Sequence, residues 1–319
     1  MASLKNIKLK IQSVKKTSTV TRAMEAVSAV KMRKSQERAL SGRSYAAAGL
    51  SILERHAGTA DMAQHPLMNN SGGNALGSLK ASPQEFKTCI IIVTSDKGLA
   101  GSLNSAVIRK TEAELQKRQL TTSDVVMIGI GRRGADYFAN RGWDVRVKHE
   151  NLSDGVSESD LRVVTDAVLA WHAAGEVGSC FVVYTNFIST FEQEAVVRQV
   201  VPITPEGTHT MVEGIRPARG KYAPSVSSVK EAPPAAYIIE PDADVVLATL
   251  LPKLLNIAIF HTLLEAKASE HSARMVDMKN ATDNAKERAK QYTRTFNKIR
   301  QAAITREISE IVGGIEAMR

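Results

Sequence analysis

The last third of the chain carries an apolar heptad repeat, and this feature limits the fold more than any other. From Leu247 to Ala303, apolar or small residues recur in steps of three and four, which places them along one side of an α-helix. Pro252 is the last proline of the chain. One helix is predicted from near Asp242 to the end, about 115 Å long. The seam consists of Leu247, Leu250, Leu254, Ile257, His261, Leu264, Ala268, His271, Met275, Met278, Thr282, Ala285, Ala289, Tyr292, Phe296, Ile299 and Ala303.

A second apolar stripe begins one residue out of phase with this seam and runs to the end of the chain. It consists of Ile304, Ile308, Ile311, Ile315 and Met318. A stripe of this kind needs a cover, which another part of the chain, a membrane or another protein must supply.

The N-terminal region predicts a second long helix, from about Leu4 to about Ala57, with a seam of its own. The seam starts with Leu4, Ile7, Ile11 and Val14, is interrupted at Ser18 and Thr21, and is predicted to resume through Val20, Met24 and Val27. Two heptad helices at opposite ends of a chain pair as an antiparallel coiled coil. We expect the small residues on both seams to allow close approach and to weaken the hydrophobic attraction.

The middle of the chain alternates between strand and helix patterns, which predicts an open α/β sheet of the Rossmann-like type. The predicted strands are 88–95, 124–131, 143–147, 180–186 and an edge strand at 194–203, and the predicted helices are 102–118, 133–141 and 159–174. The fold class is therefore α/β, with a long antiparallel coiled coil of N- and C-terminal helices plus this central domain. The predicted boundaries are coiled-coil helices at 1–60 and 242–319, an α/β domain at 87–203, and insertions at 61–86 and 204–241.

Two loops could bind a ligand, although a structural role is favoured for each. Gly129, Gly131 and Gly134 follow a strand in the GxGxxG spacing of dinucleotide sites. This match supports a dinucleotide-dependent enzyme, yet a tight strand-to-helix turn needs the same glycines. Asp96 and Lys97 lie in the loop 95–104, where a helix-capping turn involving Ser102 or Asn104 is the simpler interpretation. His261 and His271 lie ten residues apart on the seam, too far for one metal ion, and are predicted to set its register.

The positive charge of the chain is concentrated at its N-terminus. Residues 1–43 contain eleven Lys or Arg and two acids, which accounts for the whole net charge of +9. This indicates an acidic partner. Nucleic acid is an alternative partner, but Tyr45 is the only aromatic residue in 1–57, and nucleic-acid sites interleave aromatics with cations.

Three further patterns bear on the compartment. Cys89 and Cys180 lie in apolar strand-like runs and are predicted to be buried free thiols, which suits a reducing environment. The apolar stretch 245–264 includes Lys253 and His261, so a helix buried against protein is favoured over a membrane span. The N-terminus shows no apolar signal-peptide core, so we expect no export by that route.

Long segments at both ends and in the middle resemble the gamma subunit family of F-type ATP synthases. The first segment, 4–36, includes the runs TRAME at 21–25 and KMRK at 31–34. The second, SDKGLAGSLN at 95–104, is similar to the family pattern Ser-Asp-x-Gly-Leu-x-Gly-x-x-Asn. The third comprises 272–285 and 292–314. One departure is Ile315, where the family usually has alanine after Gly314.

The resemblance implies a rotor rather than an enzyme. The coiled coil would be the shaft inside a ring of three alpha and three beta subunits, and the α/β domain part of a foot that contacts the epsilon subunit and the c-ring. The shaft would couple proton-driven rotation of the c-ring to ATP synthesis or hydrolysis at beta, and would regulate ATPase activity and proton flow. The chain itself would need no cofactor or metal, bind no nucleic acid, and reach the membrane only through the c-ring.

The same resemblance implies a location and a set of subunit contacts. The chain would lie at the cytoplasmic face of a bacterial inner membrane, or at the matrix side of the mitochondrial one after removal of a transit peptide. Arg300 and Gln301 match an Arg-Gln pair of the family that contacts the beta ring. The predicted contacts are Met24, Lys31, Arg33, Arg300, Gln301, Thr305, Glu307, Ile308, Ile311, Val312 and Ile315, the last four within an apolar sleeve of the ring.

Overall fold

The computed structural model describes residues 2–41, 65–68, 86–203 and 243–318, and the chain forms two compact units. The coiled-coil unit comprises 1–29 and 274–319, and the α/β unit comprises 30–273. In chain order the elements are α1 (Ala2–Ser41), a 3₁₀ turn (Pro66–Met68), β1 (Lys87–Val93), α2 (Leu103–Lys117), β2 (Val125–Ile130), α3 (Arg132–Ala139), β3 (Asp144–His149), a 3₁₀ turn (Glu158–Leu161), α4 (Arg162–Ala173), β4 (Val177–Phe187), β5 (Gln193–Val201) and α5 (Ala243–Glu316).

The α/β unit is built on one five-stranded sheet with the order β3-β2-β1-β4-β5. The first four strands are parallel, and β5 pairs antiparallel with β4 at the edge. The predicted fold class, including the edge strand, is confirmed. The part of the predicted first helix beyond Ser41, and most of the two predicted insertions, lie outside the described residues.

The two faces of the sheet bury separate cores because side chains alternate along each strand. On one face Ile90, Met127 and Val183 pack with α2 and with Phe138 of α3. On the other face lie Ile91, Ile128, Val182 and their neighbours, together with α4 and the first turns of α5. Leu67, in the 3₁₀ turn, joins this second core, and its carbonyl accepts a hydrogen bond from the Ile203 amide at 2.8 Å.

The first half of the α5 seam therefore packs against the α/β sheet. Leu251, Leu255 and Ile259 of α5 are buried within the sheet core. By length and composition α5 contains a stretch apolar enough to cross a membrane, with mean hydropathy 1.6, but half of that window is buried inside the protein. Packing against the sheet thus accounts for these apolar residues without a membrane.

The coiled-coil unit pairs the start of α1 with the second half of α5. Thr21 of α1 and Thr282 of α5 are buried, and their hydroxyl oxygens are 2.7 Å apart. The seam of α5 continues through buried Ala285 and Ala289, as the heptad pattern predicts. Small residues at the contact allow the two backbones to approach closely.

The predicted path of the α1 seam after Thr21 is wrong. Val20 and Val27 are more than half exposed, whereas Ser28 is buried and Met24 is partly buried. The seam keeps its period through polar residues, Thr21 and Ser28, which a search for apolar residues does not detect. Apolarity alone therefore pointed to the opposite side of the helix.

Candidate functional site

The glycine-rich loop after β2 is shaped for close packing. Gly131 has φ +91°, and a Cβ at this position would lie 1.9 Å from the carbonyl oxygen of Thr94. A Cβ at Gly129 would lie 2.4 Å from the Cβ of Ala135. The glycines thus let α3 and its preceding loop approach β1 and β2, which is a structural use of the GxGxxG spacing.

The amides at the start of α3 already have acceptors within the protein. The Arg132 amide donates to Oδ1 of Asp96 at 3.0 Å, and the Gly134 amide donates to the Thr94 hydroxyl at 2.9 Å. A carboxylate therefore occupies the place that a bound phosphate would take in a dinucleotide site. This arrangement favours the structural interpretation of the loop over a cofactor site.

The loop 95–104 is closed by its own side chains. The Ser95 amide donates to Oδ1 of Asn104 at 2.9 Å, and the Asn104 amide group donates to the Ser95 hydroxyl at 2.8 Å. Ser102 occupies the N-cap position of α2 but makes no side-chain capping bond, so the predicted cap is wrong for Ser102, whereas Asn104 does close the turn. Leu99 has φ 64° and is 61% exposed, which places an apolar side chain at the surface of this loop.

The two cysteines are buried neighbours on adjacent strands. Cys89 and Cys180 are register partners of β1 and β4, and both are free and completely buried. Burial raises the pKa of the Cys180 thiol well above its ordinary value, so this thiol stays protonated. Among the described residues no group of three or more His, Cys, Asp or Glu could hold a metal ion.

The C-terminal stripe is an exposed apolar surface. Ile308, Ile311, Val312 and Ile315 are 57%, 64%, 55% and 61% exposed. The neighbouring polar residues that the sequence singled out, Arg300, Gln301, Thr305 and Glu307, are also exposed. The described part of the chain provides no cover for this stripe.

The predicted contacts on α1 differ in their surroundings. Arg33 is exposed, Met24 is partly buried, and Lys31 forms an ion pair with Asp154 at 2.6 Å. The outward side of α1 bears exposed apolar residues, two of which, Val20 and Val27, the sequence had assigned to the buried seam. The others are Leu9 and Val30, which would have emerged from testing a second heptad phase.

A basic groove within the coiled-coil unit is a further candidate surface. It has a volume of about 710 Å³, and its nine described lining residues include four cations and no acid. The cations are Lys15 of α1 and Lys286, Lys290 and Arg294 of α5. Sequence reasoning concentrated on the charge of the N-terminus and missed the contribution of α5.

Taken as a class, this is a protein with two long heptad helices that pair at their ends and an α/β domain inserted between them. Its candidate sites are exposed surfaces suited to other proteins. A family model described as ATP synthase matches residues 3–318. The chain is 36% identical to an ATP synthase gamma chain of Pelotomaculum thermopropionicum and 34% identical to one of Heliobacterium modesticaldum, in each case over the whole of both chains.

Solved structures share the fold at low sequence identity. A chain in the Euglena gracilis mitochondrial ATP synthase aligns over 99% of this chain and 95% of its own length, with TM-score 0.61 and 16% identity. A chain in the central stalk and c-ring structure of the Tetrahymena thermophila mitochondrial ATP synthase aligns over 82% and 99%, with TM-score 0.56 and 19% identity. The chain belongs to the ATP synthase gamma-chain family. It is thus a gamma subunit of F-type ATP synthase rather than the catalytic subunit, and part of a membrane-associated enzyme.

Proposed function

We propose that this chain is the rotating central shaft of a proton-translocating F-type ATP synthase. The coiled-coil unit turns inside a ring of three alpha and three beta subunits, and the α/β unit contacts the epsilon subunit and the c-ring. The chain transmits torque and thereby regulates ATP hydrolysis and proton flow, while the nucleotide chemistry belongs to the beta subunits. It reaches the membrane only through the c-ring, at the cytoplasmic face of a bacterial inner membrane.

The uncovered apolar stripe at the end of α5 is the observation that carries this proposal. Four branched aliphatic side chains are more than half exposed on consecutive turns, which is a large apolar surface to leave in water. An apolar sleeve formed by the surrounding ring would cover it without specific polar bonds. Such a contact suits a bearing, because a rotating surface must not form bonds that are costly to break at each step.

Charge supports a second part of the same proposal. The basic groove formed by Lys15, Lys286, Lys290 and Arg294 faces solvent in the coiled-coil unit. Acidic loops of the beta subunits would be attracted to such a surface with little need for exact register. Arg300, Gln301, Thr305 and Glu307 lie about two to four turns beyond Arg294 along α5 and are proposed as contacts with the same ring.

The test compares assembly and coupling in membranes that carry the complete complex. A chain that lacks 308–319 should yield fewer assembled complexes or less ATP synthesis, because the bearing surface is lost. The triple variant I308S/I311S/I315S should do the same, whereas Arg306→Gln, which changes an exposed residue of the same helix, should have little effect. Purification through a tag should recover alpha, beta and epsilon, with three alpha and three beta per chain. Unchanged assembly and synthesis in both stripe variants would rule out the bearing.

A further inference from the structure

A short loop after β3, residues 151–155, lies where α1 and α5 both meet the α/β unit; we call it the docking loop. Its contacts with both helices fall inside the α/β unit, which includes the last turns of α1 and the first half of α5. The contacts are made by charged side chains, in contrast to the apolar packing of the sheet core.

Helix α5 binds the docking loop through two buried side chains, Lys267 and His271. The Lys267 ammonium donates to the carbonyl oxygens of Leu152 at 2.9 Å and Ser153 at 2.6 Å, and Lys267 is only 8% exposed. One turn further, Nε2 of His271 lies 2.9 Å from Oδ1 of Asp154. His271 thus binds the docking loop, and its role in setting the register of the seam stays a prediction.

Helix α1 holds the same loop from its own last turns. The Lys31 ammonium lies 2.6 Å from Oδ2 of Asp154, the oxygen that His271 does not use. Arg38, two turns later, donates to the backbone carbonyl of Asp154 at 2.6 Å. Asp154 therefore joins the two helices through the two oxygens of one carboxylate.

The base of the docking loop is fixed to the sheet. The Asn151 amide donates to Oδ2 of Asp96 at 3.1 Å, and Asn151 adopts a left-handed conformation with φ 58°. The other oxygen of Asp96 accepts from the Arg132 amide at the start of α3. A helix movement relative to the sheet would therefore have to break charge-assisted bonds, which are stronger than neutral ones.

The charges around Asp154 are mostly positive. Burial on its own raises the pKa of the Asp154 carboxyl, but the Lys31 ammonium and the His271 and Lys267 charges outweigh it and hold that pKa below its ordinary value. The neighbouring acids on other elements are Asp96 and Glu270, whose charges act on Lys267. Asp154 is therefore the anion that balances cations from α1 and α5 together.

We propose that Asp154 is a positioning residue that locks the last turns of α1 and the first half of α5 to the docking loop, so that these parts of the α/β unit turn as one body. This inference rests on the proposed rotor function and adds a mechanical element to it. Torque applied to the α/β unit then reaches both helices through these contacts. Helix α1 therefore does not depend on its seam alone to rotate with α5. Neutralising Asp154 leaves the fold of the sheet intact and loosens α1.

The experiment uses the complete ATP synthase in inverted membrane vesicles, with Asp154→Asn and the matched control Asp136→Asn. Asp136 is an equally exposed aspartate with two cationic partners, Arg132 and Lys148, but it contacts neither α1 nor α5. Proton pumping per ATP hydrolysed should fall in D154N and stay at the wild-type value in D136N, and Asp154→Glu should recover part of the loss. Amides at 30–41 should exchange hydrogen about three- to fivefold faster in D154N, since hydrogen bonds to charged groups hold this segment, while β1 amides should change less.

The possible outcomes distinguish the proposed locking role of Asp154 from the proposed rotor function of the chain. Loss of coupling with faster exchange at 30–41 supports the lock. Normal coupling in D154N would overturn it, even if exchange changes, while the rotor function stands. Exchange in β1 that rises as much as in 30–41 would show that Asp154 merely stabilises the domain, which also overturns the lock. If complexes made without this chain pump as well as complete ones, the rotor function itself is wrong.

Discussion

Helix α5 has two halves that are packed in opposite ways. In the α/β unit it buries Leu251, Leu255 and Ile259 completely, and it adds buried polar contacts such as the Ser269 hydroxyl to the Thr185 carbonyl at 3.1 Å. In the coiled-coil unit its seam passes to Thr282, Ala285 and Ala289, and residues 304–315 are exposed. One heptad pattern thus serves two mechanical purposes.

The difference shows how one helix can be held firmly by packing along its first half and make few polar contacts along its last turns. Large aliphatic side chains interdigitate with the sheet and resist movement, since cores are packed as densely as crystals. Small residues leave a smooth helix pair, and the apolar stripe beyond it has no polar bonds to break. We therefore expect mutations in the first half of α5 to affect folding, and mutations in the last turns to affect assembly and rotation.

The largest expected effect tests this division directly. Leu251→Ala should destabilise the chain by about 2–5 kcal/mol, because it leaves a cavity in a fully buried core. Ile308→Ala, which removes atoms from an exposed side chain, should change the free energy of unfolding by less than about 0.5 kcal/mol. Urea unfolding of the full chain, followed by circular dichroism, measures both. Equal losses would mean that the last turns of α5 are packed as tightly as the first.

An intermediate effect is expected at the threonine pair of the coiled-coil unit. Each hydroxyl also has a carbonyl acceptor on its own helix, Ser18 for Thr21 and Met278 for Thr282. Each single change to valine should therefore cost about 1 kcal/mol, and the double variant should cost less than the sum, with a coupling of about 0.5–1.5 kcal/mol. Thr19→Val is the control, because Thr19 is exposed and bonds only its own helix among the described contacts. A double-mutant cycle by urea unfolding gives the coupling, and strict additivity would show that the hydroxyls do not interact.

The sequence predicts the helices and strands well. It predicts poorly the positions where a polar residue takes the place of an apolar one. The strands and the edge strand follow from apolar runs and turn residues, because burial of a sheet demands them. The prediction for the α1 seam after Thr21 is wrong, since Ser28 is the buried residue while the apolar pattern indicates Val27. In α1, hydrophobic periodicity therefore gives the correct element but selects the wrong face of it after Thr21.

The docking loop could not be predicted, for a different reason. Lys31 and His271 each lie more than a hundred positions from Asp154 in the sequence, and no local spacing links the three residues. Likewise, the sequence assigned Asp96 a possible ligand role, whereas it binds the amides of Arg132 and Asn151. Long-range polar contacts depend on the folded geometry, which periodicity does not encode.

The smallest expected effect contrasts the pH dependence of the two units. In the α/β unit the pKa of Asp154 is lowered by its cationic partners, so its stabilisation is present above the unfolded-state pKa and is lost as pH falls through the lower folded-state value. In the coiled-coil unit burial raises the pKa of Asp277, so its ionised form is a penalty at neutral pH that disappears on acidification.

The two substitutions to asparagine should therefore have opposite signs at pH 7. Asp154→Asn should destabilise the chain and Asp277→Asn should stabilise it, each by less than about 1 kcal/mol because both sites are partly solvated. At a pH below both pKa values the charge-related part of each difference should vanish. Thermal unfolding from pH 3 to pH 7 measures the trend, and differences of equal sign would show that the carboxylates of the two units are in similar surroundings. Opposite signs would support the contrast between the two units, because Asp154 has cationic partners on both helices whereas burial raises the pKa of Asp277.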